Sequence, residues 1–109
     1  MELFREFLRI RSVSGEGPSG SYASAVAWLE RFCKRVGLPT QQVEPVKGKP
    51  ILLATWQGKD PTLPALLLNS HYDVVPAMEE FWSVDPWAAE LKDGKIYGRG
   101  TQDMKRLSL

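Results

Sequence analysis

The sequence predicts an α/β layered domain, and three observations carry that prediction. Two amphipathic helical stretches open the chain, strand-like patterning replaces them after Pro39, and a short unbroken apolar run follows at residues 65–69. In the first stretch Leu3, Phe4, Phe7 and Leu8 share one face, with Glu2, Arg5, Glu6 and Arg9 opposite. Residues 12–20 are rich in Gly, Ser and Pro and read as a loop. A second helix is expected over residues 21–36, with Ser21 as N-cap. Its stripe is Tyr22, Ala25, Val26, Leu29, Phe32, Cys33 and Val36, and it is stopped by Gly37 and Pro39.

Beyond Pro39 the period shortens. Residues 41–46 and 51–57 read as strands separated by a turn at residues 47–50. The run at 65–69 has the continuous apolar character of a strand buried on both faces. Residues 71–86 are irregular. Residues 89–91 and 95–97 flank Asp93-Gly94, a strong hairpin signal.

Composition narrows the function classes. The 109 residues carry 14 Lys and Arg against 13 Asp and Glu, a net charge of +1, which argues against nucleic acid or an anionic membrane as partner. The N-terminal stretch is too charged for a signal peptide, and no apolar run approaches the ~20 residues of a membrane span. One cysteine cannot form an internal disulfide, which suits a reducing compartment, so a cytoplasmic location is expected. A single histidine excludes a self-contained multi-histidine metal site.

That histidine, His71, follows the apolar run directly, and Asp73 lies two residues on. On extended backbone the two side chains point the same way, with Cα atoms ~6–7 Å apart. The pair suits an imidazole metal ligand oriented by a carboxylate, or equally a satisfied histidine at a strand end beside a turn aspartate. Further along, Gly98 and Gly100 allow close backbone approach, and Asp103, thirty-two residues after His71, ends that loop. Asp103 could bridge two divalent ions or simply cap a helix. The adjacent Glu79 and Glu80 read as a solvated surface pair in a turn anchored by aromatics, Cys33 as core, and the four tryptophans as packing residues.

Taken in order, LFREFLRIR at residues 3–11, LLLNSHYDVVP at 66–76, Trp82 with Asp85-Pro86, and YGRGTQDMK at 97–105 resemble the aminoacylase branch of the zinc amidohydrolases and exopeptidases. The resemblance implies part of a three-layer α/β/α catalytic domain over residues 1–105, followed by a divergent tail at 106–109. It implies His71 as a zinc ligand, Asp73 as the catalytic aspartate behind it, and Asp103 bridging two Zn2+ ions. The implied reaction is hydrolysis of an N-acyl-L-amino acid to a carboxylate and a free amino acid. In that pattern the general-base Glu, the other ligands and the domain through which family members often dimerise lie beyond Asp103. The six residues after Asp103 contain no acid or histidine, and Arg106 stands where a small residue is usual. The chain alone is therefore expected to carry half a zinc site and no activity. An interaction module that pairs with the full-length enzyme or another partner is the alternative. Tyr72 stands where Thr is more usual in the family, which implies altered packing beside the metal with ligation unaffected.

Overall fold

The computed structural model describes residues 1–16 and 19–108; Gly17 and Pro18, within the expected loop, and Leu109 of the tail lie outside the described residues. Helix α1 spans Glu2–Leu8 and α2 spans Tyr22–Arg35. Strands β1 (Thr40–Val46) and β2 (Lys49–Ala54) form one antiparallel pair, and β3 (Glu90–Lys92) and β4 (Lys95–Tyr97) another. Single 3-10 turns occupy Glu79–Phe81 and Lys105–Ser108.

Helix α1 buries Phe7 and Leu8 on its apolar face. On its other face Glu2 pairs with Arg5 at 2.8 Å and Arg9 at 2.9 Å. The hydrogen bond from Arg9, with the charges of both arginines, holds the Glu2 carboxyl below its ordinary range. Both arginines reach further: Arg5 Nε donates to the Ala89 carbonyl at 2.8 Å and Arg9 Nε to that of Ala88 at 3.2 Å. These bonds seat the β3–β4 hairpin against α1.

Helix α2 starts after Ser21 and ends just before Gly37, although the Ser21 hydroxyl makes no capping bond. Tyr22, Ala25, Val26 and Leu29 are buried along the expected stripe. The lower end of that stripe differs: Phe32 and Cys33 are half-buried and Val36 is 53% exposed. Trp28, off the stripe, is buried instead. Its indole stacks on Phe7 with centroids 4.8 Å apart and on Phe32 at 5.7 Å, and its Nε1 donates to Glu6 at 3.4 Å. This stack joins α1 to α2, and with Ala25 and Leu29 it makes the core against which Leu52 of β2 and Tyr72 pack. Stacked rings of this kind contribute about 0.5–1.5 kcal/mol beyond the area they bury.

The first hairpin turns on Lys47 and Gly48 alone, because Lys49 and Pro50 already belong to β2, and β2 stops at Ala54, short of residue 57. Its register runs from Thr40 opposite Ala54 to Val43 opposite Ile51, then shifts before Val46 meets Lys49. The second hairpin turns on Asp93 and Gly94 with φ of +51° and +74°, the left-handed pair of a type I′ turn.

One expected element does not form. Residues 65–69 pair with no strand among the described residues, and Leu66, Leu67 and Leu68 are 83–85% exposed. A strand exists through the ladder to its neighbours, and among the described residues this run has none. Trp56 is likewise 88% exposed, contrary to a packing role. Trp82 and Trp87 are half-buried under Arg99 and Arg11, whose guanidinium carbons lie 5.2 and 4.7 Å from the ring centres. The turn at Glu79–Phe81 is held by Glu79, which accepts from Trp87 Nε1 at 2.7 Å and pairs with Arg11 at 3.4 Å, while Phe81 stays 78% exposed.

Candidate metal centre

His71, Asp73 and Asp103 meet at one edge of the molecule. His71 Nδ1 lies 3.0 Å from both the Asp73 carboxylate and the Asp73 carbonyl oxygen. Its Nε2 lies 3.1 Å from Asp103 Oδ1. Each ring nitrogen thus faces a carboxylate, supplied by one residue two positions away and one thirty-two positions away. The three side chains are open to solvent, Asp103 most of all at 80%.

Backbone hydrogen bonds and the burial of its neighbours, not of the histidine itself, hold the His71 segment. Val74 is buried and bridges Val13 in parallel, with Val74 N donating to Ser12 O at 2.9 Å and Ser14 N to Val74 O at 2.8 Å. The buried Ser12 hydroxyl donates to Tyr72 O at 2.6 Å. Tyr72 turns inward: its hydroxyl donates to the Pro50 carbonyl at 2.7 Å and its ring meets Tyr22 edge-on at 5.5 Å. Burial, with Tyr22 and Asp73 nearby, pushes the Tyr72 phenol up. Inward-facing and outward-facing residues therefore alternate here: Tyr72 and Val74 turn in, while His71 and Asp73 point out. An open groove of about 750 Å³ runs from the site between α2 and the first hairpin, lined in part by Cys33, Leu52, Ser70 and Tyr72.

On the other side, Gly100 adopts φ +90° and passes so close to Val74 that a Cβ there would lie 2.8 Å from its Cγ1. Glycine is the one residue that fits both constraints. Lys105 follows Asp103 by two and is fully buried, a placement that sequence reasoning missed. Its Nζ donates to the carbonyls of Phe7 and Ile10 at 3.0 and 2.5 Å and sits 4.8 Å from the Phe7 ring centre. Burial brings the lysine down to about 8. No period or charge pattern distinguishes this lysine from a surface one, so the signal lies only in its neighbours.

An imidazole nitrogen and a carboxylate oxygen are two of the ordinary donors to a divalent ion. At bond lengths of ~2.0–2.2 Å, two tetrahedral ligands lie roughly 3.3 Å apart, close to the His71–Asp103 separation. The donor chemistry and spacing therefore fit two ligands of one ion. Among the described residues no group of three or more His, Cys, Asp and Glu completes such a set.

Residues 67–109 match the profile of Peptidase family M20/M25/M40. The chain is 50% identical over 108 residues to Aminoacylase-1 of Sus scrofa and 47% identical to that of Homo sapiens, covering 98% of this chain in both cases. The chain resembles the N-terminal part of an aminoacylase. It spans about a quarter of these relatives' length, 26% of each. An M20 family metallo-carboxypeptidase from Sulfolobus solfataricus shares the fold with a TM-score of 0.83 at 27% identity, over 95% of this chain and 23% of that one. The helices and antiparallel pairs described above thus align with part of the α/β fold of that metallo-carboxypeptidase. No described helix is long and apolar enough to cross a membrane.

Proposed function

We propose that this chain contributes part of the zinc site of an aminoacylase, an enzyme that hydrolyses N-acyl-L-amino acids to a carboxylate and a free amino acid. The observation that carries this reading is the meeting of His71 with Asp73 on one ring nitrogen and Asp103 on the other, together with the likeness to Aminoacylase-1.

In this reading His71 and Asp103 are zinc ligands, and Asp103 has a second oxygen free to reach a second ion. Asp73 is the aspartate that fixes the imidazole. With Nδ1–H donated to Asp73, Nε2 keeps its lone pair and is aimed at the metal position. Zinc, when bound, would supply Lewis-acid chemistry: a water acidified toward neutrality and a polarised amide carbonyl. Such chemistry would also call for a carboxylate base beside the ion. Asp73 is committed to His71, so the base comes from outside this constellation. Cys33 as a lone free thiol supports a cytoplasmic location.

Two ligands hold an ion weakly, since catalytic zinc takes three from protein. Zinc titration of the 109-residue chain, followed with a competing chromophoric chelator, is expected to give weak binding that His71→Ala and Asp103→Ala each abolish. Binding indifferent to both substitutions overturns the ligand roles. The same chain is expected to show no cleavage of N-acetyl-methionine with zinc; robust cleavage overturns the need for further ligands. The exposed run Leu66–Leu68 favours a second reading, a non-catalytic chain that docks on another protein. Co-purification with a full-length aminoacylase tests it.

A further inference from the structure

We propose that Lys105 is a positioning residue that sets the Asp103–His71 spacing by anchoring the Asp103 loop to the end of α1. The proposal deepens the metal reading above, while its central test needs neither metal nor activity.

The problem it answers is local. Asp103 is 80% exposed and, among the described residues, its side chain meets only the exposed His71 ring, at 3.1 Å, so it offers little that would hold the loop in place. Two residues on, the chain is pinned. Lys105 is fully buried and its ammonium donates to the carbonyls of Phe7 and Ile10. Helix α1 ends at Leu8, so these lie where carbonyls run out of intrahelical partners and where a cation is favoured. Lys105 N also donates to Gly100 O at 3.2 Å, which closes the loop that presents Asp103.

The His71 segment is pinned to the same stretch from the other side. Ile10 O accepts from Ser12 N at 2.9 Å as well as from Lys105. Ser12 in turn accepts from Val74 N and donates to Tyr72 O, on either side of Asp73. Gly100 and Val74 touch directly, as the absence of room for a Cβ records. Residues 7–14 are thus a common mount for two loops that would otherwise be independent. A shift of Lys105 moves Asp103 relative to His71, whereas a shift of the mount moves both together.

His71 is the chain's single histidine, so its ring gives one set of imidazole resonances. At fixed pH, Lys105→Met, which keeps the bulk and removes the donors, is expected to move the His71 ring nitrogen signals toward those of Asp103→Ala. In the Asp103→Ala background the same substitution is expected to add no further shift. Lys105→Arg, which retains the charge and donors, is expected to restore part of the shift. Zinc binding by Lys105→Met is expected to weaken about tenfold, as for other groups that orient a ligand. A folded Lys105→Met chain with unmoved His71 signals overturns the proposal, as does an equal shift in both backgrounds. If Lys105→Met does not fold, Gly100→Ala displaces the lysine stem and Val74 while keeping the ammonium, and unmoved His71 signals there overturn it equally. Failure of the His71→Ala zinc test sinks the metal reading and leaves these shifts unaffected, so the two are separable.

Discussion

Ser12 is a small residue with an outsized share of the contacts near the site. It is fully buried, its hydroxyl reaches Tyr72 O at 2.6 Å, and its backbone joins Ile10 to Val74. Ser12→Ala leaves a buried carbonyl short of a donor, which costs about 1–3 kcal/mol. The expected outcome is a lower urea midpoint with an unchanged slope; an unchanged midpoint would show that water replaces the hydroxyl. Cys33 makes a second prediction at this scale. Burial, and to a lesser degree the charge of Glu30, pushes its thiol up. A thiol with a raised pKa holds less thiolate at pH 8, and thiolate is the reacting form. Iodoacetamide should therefore modify Cys33 more slowly in the native chain than in urea. Equal rates would mean that α2 opens freely at this turn.

At the scale of elements, the exposed run at residues 65–68 carries the clearest expectation. It presents apolar side chains with no strand partner, the arrangement that templates association with another chain. Leu67→Lys should raise the concentration at which the 109-residue chain begins to self-associate in sedimentation velocity, with little change in melting temperature. A matching loss of stability would place Leu67 in the fold instead. The same run marks the limit of what could be read from sequence. Both helices and both hairpins were legible because each is local: a stripe, an N-cap, a Gly stop, an Asp-Gly turn. The strand at 65–69 was not, because an apolar run predicts burial only if something exists to bury it. Trp28 escaped for a related reason, since its burial depends on Phe7 of another helix rather than on the period of its own. At the site, His71, Asp73 and Asp103 stood out by residue type and spacing, whereas Lys105 and Ser12 did not. Their roles come from contacts distant in sequence, Lys105 with Phe7 and Ile10 and Ser12 with Tyr72 and Val74.

The whole molecule is open. Its radius of gyration is 15.4 Å, against about 13 Å for a closed domain of this length. The extents of 52 × 35 × 21 Å describe a slab whose groove and unpaired run lie on the surface. Within it the mount at residues 7–14 has a consequence for how the chain is made. Lys105 meets Phe7 across 98 residues of sequence and Ile10 across 95. At the ~5–20 residues per second of synthesis, α1 is made roughly 5–20 s before the lysine that reaches its end. Closing so long a loop comes late in folding, after local turns and helices are in place. In the nascent chain the Phe7 and Ile10 carbonyls therefore lack their lysine partner until residue 105 has been made, and the loop that presents Asp103 to His71 is anchored only after that.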